Sequence, residues 1–231
     1  MVDVLKKRAE TDMGNAVRIP AHALVYEQLR GLILSGDLAP GQAVTIQGLT
    51  EILGAGMTPV REAIRRLISE DALVFQGNRR VTVPSLGAAD LKELIFIRKS
   101  IESELAARAA PRIDPAGIER LEQIDAQLDA AIMSGDIKGY LTRNHAFHSA
   151  LYAWADAPIM TGIAERLWLR FGPSLRVVCG RFGTENLPDM HKDILTALRA
   201  GDKDAAARAM ARDVVQGMDQ IARAMNQREQ L

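Results

Sequence analysis

Apolar residues recur every three or four positions through most of the 231-residue chain, and this spacing is typical of amphipathic helices. The first such pattern begins at Ala21 and should end near Ser35-Gly36, because glycine commonly terminates a helix. Residues 37–41 then predict a turn, after which Thr45 is placed to cap a short second helix. The predicted order of elements is helix, turn, helix.

A third helix is predicted between Thr58 and Glu70. Thr58 is a favourable N-cap, and Pro59 suits the first helical position because an N–H there has no intrahelical acceptor. Apolar residues occupy one face of this helix, while Arg61 and Arg65 fall on others. A short helix with basic residues in its first turns fits the major groove of DNA, but the same pattern also describes a surface helix with solvated arginines.

Two short strands follow the third helix, over residues 73–75 and 81–83. The loop that joins them carries Arg79 and Arg80 at its tip, so the pair is predicted to form a basic hairpin. Three helices and a two-stranded hairpin in this order predict a winged helix-turn-helix over residues 18–84.

Charge and cysteine content narrow the possible functions. The formal net charge is zero, so any DNA contact must come from a local cluster, and residues 61–80 supply five arginines against three acids. Cys179 is the single cysteine, which excludes an internal disulfide framework and agrees with a reducing compartment. No membrane-spanning apolar run and no apolar signal core are evident, so a cytoplasmic protein is expected. Residues 1–17 show little apolar periodicity and predict a mobile arm.

Beyond a short linker over residues 85–90, the pattern is helical to about residue 225. No strand pattern of comparable strength is present in this part of the sequence. The chain is therefore predicted to be mainly α, with an all-α bundle of six or seven helices over residues 91–225 after the winged helix. The individual helices are predicted over 88–110, 115–133, 136–154, 158–171, 185–200 and 202–225.

Polar side chains on three of these predicted helices are candidate ligands of a metal ion. Asn144 and His148 are four residues apart and share one helix face. His191 opens a later helix, and Asp213 lies on the last one. Inward-facing histidines and carboxylates build metal sites in helix bundles, but buried histidines also simply form hydrogen bonds with core partners. The residues alone leave both interpretations open.

Three segments resemble the DNA-binding domain of GntR-type bacterial transcription regulators. They are Leu-Ala-Pro-Gly at 38–41, Leu-Thr-Glu-Ile-Leu-Gly at 49–54 and Thr-Pro-Val-Arg-Glu-Ala at 58–63. In that family the operator is contacted by residues before and at the start of the recognition helix, by its arginines and by the wing tip. The resemblance thus implies DNA contacts by Gln47, Thr58, Arg61, Arg65, Arg79 and Arg80.

The sequence departs from this family at Gly56-Met57, where Ser-Arg is usual. One common capping hydroxyl and one common arginine contact are therefore missing. Met57 cannot form a bidentate hydrogen bond with guanine, although its side chain can pack against a thymine methyl group. The operator is expected to differ from the usual one.

The helical region resembles the ligand-binding domain of the FadR subfamily of these regulators. The matching patterns include Arg-x-x-Ile-Glu from Arg98 and Asn-x-x-Phe-His from Asn144. Many members hold a divalent metal with Asp-x-x-x-His on one helix and two later histidines. Here Asn144 replaces the aspartate and Asp213 replaces the last histidine, while His148 and His191 match. This set leaves Zn²⁺, Ni²⁺ and Mn²⁺ open, and the alternative is that the same polar groups hold an effector directly.

The resemblance also implies partners. Members of the subfamily mostly sense small carboxylic acids, and Arg98 is the candidate arginine for such an effector, with Arg143 and Arg176 as rivals. A homodimer on palindromic double-stranded operator DNA, acting more often as a repressor than as an activator, is implied as well.

The alternative from another functional class is a metal-dependent enzyme that acts on a small organic acid. The sequence contains no Gly-rich phosphate loop, no His-Glu-x-x-His and no Gly-x-Ser-x-Gly. A plain interaction module would leave the basic wing unexplained. We therefore expect a regulator and not an enzyme.

Overall fold

The computed structural model describes residues 20–77, 80–182 and 190–226. The arm predicted over residues 1–17 and the predicted DNA contact Arg79 lie outside these ranges. Among the described helices, none is both long enough and apolar enough to cross a membrane.

The N-terminal part of the chain, called here the winged-helix domain, combines helices with a small antiparallel sheet. Strand order in this sheet is β1-β3-β2, and Phe75 of β2 lies opposite Val81 of β3. Its core is apolar, with Leu29, Ile33 and Leu67 fully buried where the first helix packs on the third. The elements are α1 (Ala21–Leu34), β1 (Ala43–Val44), α2 (Ile46–Leu53), α3 (Met57–Ser69), β2 (Val74–Gln76) and β3 (Arg80–Thr82).

Local signals place several of these ends as predicted. The Thr45 hydroxyl accepts a hydrogen bond from the Gly48 N–H at 3.0 Å, which caps α2. Gly36 follows α1 with φ +68°, a conformation that costs glycine little. Strand β1 was not predicted, because two residues are too short to show the alternation of a strand.

The predicted start of α3 was wrong. The helix begins at Met57, and its N-cap is Gly56 in an extended conformation, so Thr58 lies inside the first turn and does not cap it. Pro59 is tolerated in this register because the N–H groups of the whole first turn lack intrahelical acceptors. In the wing, Gln76 pairs with Arg80, so Arg80 begins a strand and is not at the loop tip.

The second part, called here the helical domain, contains six helices within the described residues. The first and last of these helices form the most extensive helix–helix contact, and the four helices between them in sequence complete the bundle. The mainly α fold, with a winged helix followed by a helical bundle, is confirmed, although the sheet has a third strand. The helices are α4 (Ala88–Ala109), α5 (Pro115–Ser134), α6 (Ile137–Ala153), α7 (Pro158–Phe182), α8 (His191–Arg199) and α9 (Lys203–Asn226).

Helix α7 is longer than the predicted 158–171, because it continues through Pro173. Proline removes one backbone hydrogen bond, which usually ends or kinks a helix. Here Phe171, Leu175 and Val178 continue the buried face at helical spacing, so tertiary packing maintains the helix beyond the proline. Of the helix predicted over 185–200, residues 185–189 are not described.

The two domains meet where α1 packs against α6 and α7. Gly172 lies on this contact, and a side chain there would come within 3.7 Å of the Leu34 Cα atom. Arg30 forms an ion pair with Glu165, so the contact includes a charged bridge as well as close packing.

Candidate functional site

His148, His191 and Asp213 converge inside the helical domain, from helices α6, α8 and α9. Each offers one ligand atom, and these three atoms lie within 4.8 Å of one another. His148 Nε2 is 3.2 Å from Asp213 Oδ2. Both imidazoles are buried, so bulk water reaches them poorly. The combination of two imidazoles and one carboxylate is a donor set that transition metals favour.

A cavity of about 30 Å³ adjoins this cluster, and Asn144 lines it together with His148 and Asp213. This volume corresponds to about one water molecule, or to a single ion. Arg98 lines the same cavity from α4. Of the predicted polar cluster, the structure thus brings Asn144, His148 and Asp213 to one small cavity, and His191 lies beside the last two.

A buried carboxylate holds the His191 ring in one orientation. Asp125 Oδ1 lies 3.1 Å from His191 Nδ1, and Lys192 Nζ lies 2.6 Å from the other Asp125 oxygen. Phe147 stacks on the imidazole with ring centroids 3.8 Å apart. Burial raises the pKa of the Asp125 carboxyl, but the hydrogen bonds from His191 and Lys192 outweigh it and lower the pKa below its usual value. An ionised carboxylate can only accept, so Nδ1 donates to it, and Nε2 is the ring nitrogen that a metal ion would use.

A second chain of hydrogen bonds orients His148. The Tyr152 hydroxyl donates to Glu102 Oε2 at 2.6 Å, and Glu102 also accepts two hydrogen bonds from Arg98. The phenol oxygen then accepts from His148 Nδ1 at 3.3 Å. Burial and the Glu102 charge raise the pKa of Tyr152 well above its usual value, which keeps this proton in place. As a result, Nε2 is the ring nitrogen of His148 that faces the Asp213 carboxylate.

A ring nitrogen and a carboxylate oxygen that lie 3.2 Å apart require a cation between them, either a proton on Nε2 or a metal ion. Burial raises the pKa of Asp213, but the hydrogen bond with His148 and the charges of His148 and His191 outweigh it, so the pKa is lowered and the carboxyl is ionised. The Met190 N–H donates to Asp213 Oδ1 at 3.2 Å and leaves Oδ2 directed at His148. The residues present therefore fit a divalent ion.

The three arginines predicted for an effector lie in different places. Arg98 is only 3% exposed, forms a bidentate pair with Glu102 and stacks on Phe171 at 3.8 Å. Arg143 lies on the exposed surface of α6. The stem of Arg176 packs against Gly36 of the winged-helix domain. Only Arg98 lines the cavity, and its charge is already paired.

Asp125, Glu102 and Tyr152 were not among the predicted site residues. Asp125 carried a usable signal, because it falls on the apolar face of α5 between Leu121 and Leu128, where an unpaired acid would be costly. The role of Tyr152 has no comparable signal, since a tyrosine on an apolar helix face is ordinary core material.

The winged-helix domain presents its predicted DNA residues on the surface. Arg65 is exposed and forms an ion pair with Glu62 at 2.9 Å. Met57, the first residue of α3, is 59% exposed, which is unusual for a large apolar side chain. The other exposed residues of the predicted set are Gln47, Thr58, Arg61 and Arg80.

Both domains match known protein families. Residues 22–83 match the family described as bacterial regulatory proteins, gntR family, and residues 93–216 match the FCD domain. The HTH-type transcriptional regulator McbR of Escherichia coli (strain K12) is 31% identical over 81% of this chain and 86% of that protein. The HTH-type transcriptional repressor RspR of the same strain is 29% identical over 83% of this chain and 84% of its own length.

Solved structures agree with these matches. The structure of E. coli McbR/YncC superposes with a TM-score of 0.83 at 29% identity, covering 89% of this chain and 99% of that chain. A GntR regulator from Rhodococcus sp. RHA1 has the same fold, with a TM-score of 0.70 at 23% identity over 87% of this chain and 97% of its own. Because these relatives are transcription regulators, the expectation that the protein is not an enzyme is confirmed. The chain belongs to the GntR family of bacterial transcription regulators, in the FadR-like branch whose helical domain is an FCD domain.

Proposed function

We propose that this regulator binds a palindromic operator as a homodimer, acts as a repressor in the cytoplasm, and is controlled by a small carboxylic acid that enters the helical domain. Residues 18–84 bind DNA, residues 85–90 link the domains, and residues 91–225 bind the effector and form the dimer. The requirement for two copies is physical, since one small winged helix reads few base pairs and specificity needs two half-sites at fixed spacing.

In the proposed complex, α3 enters the major groove, where Arg61 and Arg65 meet base edges or phosphates. Gln47 and Thr58 contact the backbone at the edge of the groove. Arg79 and Arg80 of the wing bind phosphate. The exposure of the described members of this set supports the proposal, because side chains already buried in the domain would be unable to reach DNA.

The metal ligands in this proposal are Asn144, His148, His191 and Asp213, and the ion is Zn²⁺, Ni²⁺ or Mn²⁺. One observation carries the proposal: hydrogen bonds direct the Nε2 atom of His148 at the Asp213 carboxylate across 3.2 Å in a buried cluster. When bound, a divalent ion supplies a Lewis acid that can hold the carboxylate of an effector.

Charge within the cluster favours an anionic effector only when a metal is bound. Arg98 and Glu102 neutralise each other, so Asp213 is the unbalanced charge at the cavity when both histidines are neutral. A divalent ion makes the net local charge positive, so that it attracts a monocarboxylate. The cavity of about 30 Å³ holds an ion but not an organic acid as well, so binding of the effector requires side chains around it to move.

The dimer contact is assigned to the helical domain because of an exposed aromatic residue. Phe96 on α4 is 72% exposed, and it borders a shallow cleft between α4 and α9 that also includes Ser100, Ala207 and Ala211. The cleft is also lined by the charged residues Lys99, Glu104 and Arg208. An exposed phenylalanine beside small residues, with charged residues around them, is a suitable surface for a second copy of the chain.

Elemental analysis after purification without chelator tests the metal proposal. Metal content should approach about one ion per protomer, and His148→Ala or His191→Ala should abolish it. Arg143→Ala, on the exposed surface of the same helix as His148, is the matched control and should retain the ion. Absence of metal, together with melting that EDTA leaves unchanged, would instead assign the cluster to direct effector binding or to a core network.

A further inference from the structure

Helices α6 and α7 make two neighbouring cross-contacts, one inside the helical domain and one at its surface. In the inner contact, the rings of His148 and Trp168 lie 5.0 Å apart. In the outer contact, His145 Nε2 lies 3.0 Å from Glu165 Oε2. Each helix supplies its two residues three positions apart, so the contacts lie on adjacent turns of the same pair of helices.

The outer contact reaches the winged-helix domain. Arg30 of α1 donates to the same Glu165 oxygen that His145 contacts. The side chains of Arg30 and Glu165 are each about one fifth exposed, which shields the pair from solvent more than an ordinary surface bridge. Burial raises the pKa of Glu165, but His145, a hydrogen bond from Ser149 and the charge of Arg30 outweigh it and lower the pKa to about 2, so the carboxylate is charged at neutral pH.

The two contacts are joined through Trp168. Its indole N–H donates to the Tyr152 hydroxyl at 3.2 Å, and its ring also meets the edge of His145 with centroids 5.2 Å apart. His145 follows Asn144 directly in the sequence. Any rotation of α6 that draws Asn144 and His148 toward a ligand therefore also moves His145 relative to Glu165.

A second ion pair between the domains does not involve Trp168 or the residues of the buried cluster. Lys138 Nζ, at the start of α6, lies 2.6 Å from Asp37 Oδ2, which follows α1. The Lys138 side chain is 62% exposed, and Asp37 is further held by the Ser35 hydroxyl at 2.9 Å. This pair holds the domains together at the surface, and it supplies a matched control.

We propose that the Arg30–Glu165–His145 contact transmits the state of the buried cluster to the winged-helix domain, with Glu165 as the positioning residue. The inference rests on the proposed function in requiring that the cluster binds a ligand. Loss of this contact should leave both domains folded and able to bind, but should disconnect DNA affinity from the occupancy of the cluster.

Operator affinity of the full chain, measured by fluorescence anisotropy after removal of metal by chelator and again after reloading with Zn²⁺, tests the proposal. For the wild type, the operator Kd should change by about fivefold or more. In Glu165→Gln the change should fall below about twofold, which is within the error of additivity, while zinc uptake stays the same. Arg30→Gln, which breaks the contact from the other domain, should reproduce this result. Lys138→Met should keep the wild-type response.

The proposal is overturned if Glu165→Gln retains the full wild-type response, or if the wild type binds zinc and its operator affinity does not change. The second outcome would leave the metal proposal standing.

If the wild type takes up no zinc, the metal proposal fails and a double-mutant cycle decides the coupling instead. Operator affinities of Asn144→Ala, Glu165→Gln and the double variant should then depart from multiplicative behaviour by about fivefold or more. Multiplicative effects within about twofold would overturn the inference.

Discussion

Replacement of Asp125 by Asn should weaken metal binding without unfolding the protein. The carboxylate lies 3.1 Å from His191 Nδ1 and is almost fully buried, so its hydrogen bond is charged and poorly screened. Asparagine keeps the shape, but its amide can present either N–H or C=O to the imidazole. The ring then loses its fixed tautomer, and the lone pair on Nε2 is no longer assured.

The expected loss follows from this geometry. A hydrogen bond to a buried charged group contributes about 1.5–3 kcal/mol, and loss of a carboxylate that orients a metal-binding histidine typically costs about 10–100-fold in metal affinity. These two ranges agree, because a tenfold change corresponds to about 1.4 kcal/mol. We therefore expect the zinc Kd of Asp125→Asn to rise by about 10–100-fold.

Competition with a chromogenic chelator measures this change, and circular dichroism verifies that the variant is folded. Lys192→Met is the matched control, because Lys192 contacts the same carboxylate but its side chain is 61% exposed. That variant should change the zinc Kd by less than about threefold, since an exposed ion pair contributes little. Equal zinc affinity in Asp125→Asn and wild type would refute the orienting role of the carboxylate.

Further predictions concern DNA, the donor set, acid stability and assembly. Arg61→Ala should weaken specific operator binding by roughly 1–3 kcal/mol, while Arg80→Ala should weaken cognate and scrambled duplexes alike in gel shifts at fixed salt. Asn144→Asp should strengthen zinc binding in the chelator assay, because a carboxylate replaces a neutral amide. Glu165 has a folded pKa of about 2, below its usual value, so its ionised form stabilises the fold by up to about 3 kcal/mol above about pH 4.5. This contribution is lost as the pH falls toward 2. The difference in melting temperature between wild type and Glu165→Gln should therefore shrink between about pH 4.5 and pH 2. Phe96→Glu should yield monomers by light scattering and weaker operator binding.

Much of the fold follows from local sequence signals. The helical periodicity, the cap at Thr45 and the glycine at position 36 act within a few residues, so the sequence alone identifies them. The continuation of α7 beyond Pro173 could not be predicted, because it depends on contacts with other helices that compensate for a missing hydrogen bond. Strand β1 exists only as a partner of β3, and its two residues carry no pattern of their own.

The candidate site also contains residues that the sequence indicates and residues that only the tertiary structure reveals. The family resemblance supplied Asn144, His148, His191 and Asp213, whose spacing on helices can be seen in the sequence. The carboxylates that fix the histidine tautomers come from other helices, at separations of 66 residues for Asp125 and His191 and 50 residues for Glu102 and Tyr152. No local pattern encodes such distant pairings. The resemblance favoured Arg98 over Arg143 and Arg176, but only packing shows that Arg98 is buried and already paired.

The proline within α7 has a mechanical consequence. A turn without its full set of backbone hydrogen bonds bends more easily than the turns on either side. In α7 this compliant turn is flanked by residues that line the cavity: Trp168 and Phe171 precede the proline, and Leu175 follows it. Gly172, next to the proline, is also where α7 touches α1. The most compliant turn of the longest described helix thus lies beside both the buried cavity and the contact with the winged-helix domain, so bending of α7 at this turn would alter both.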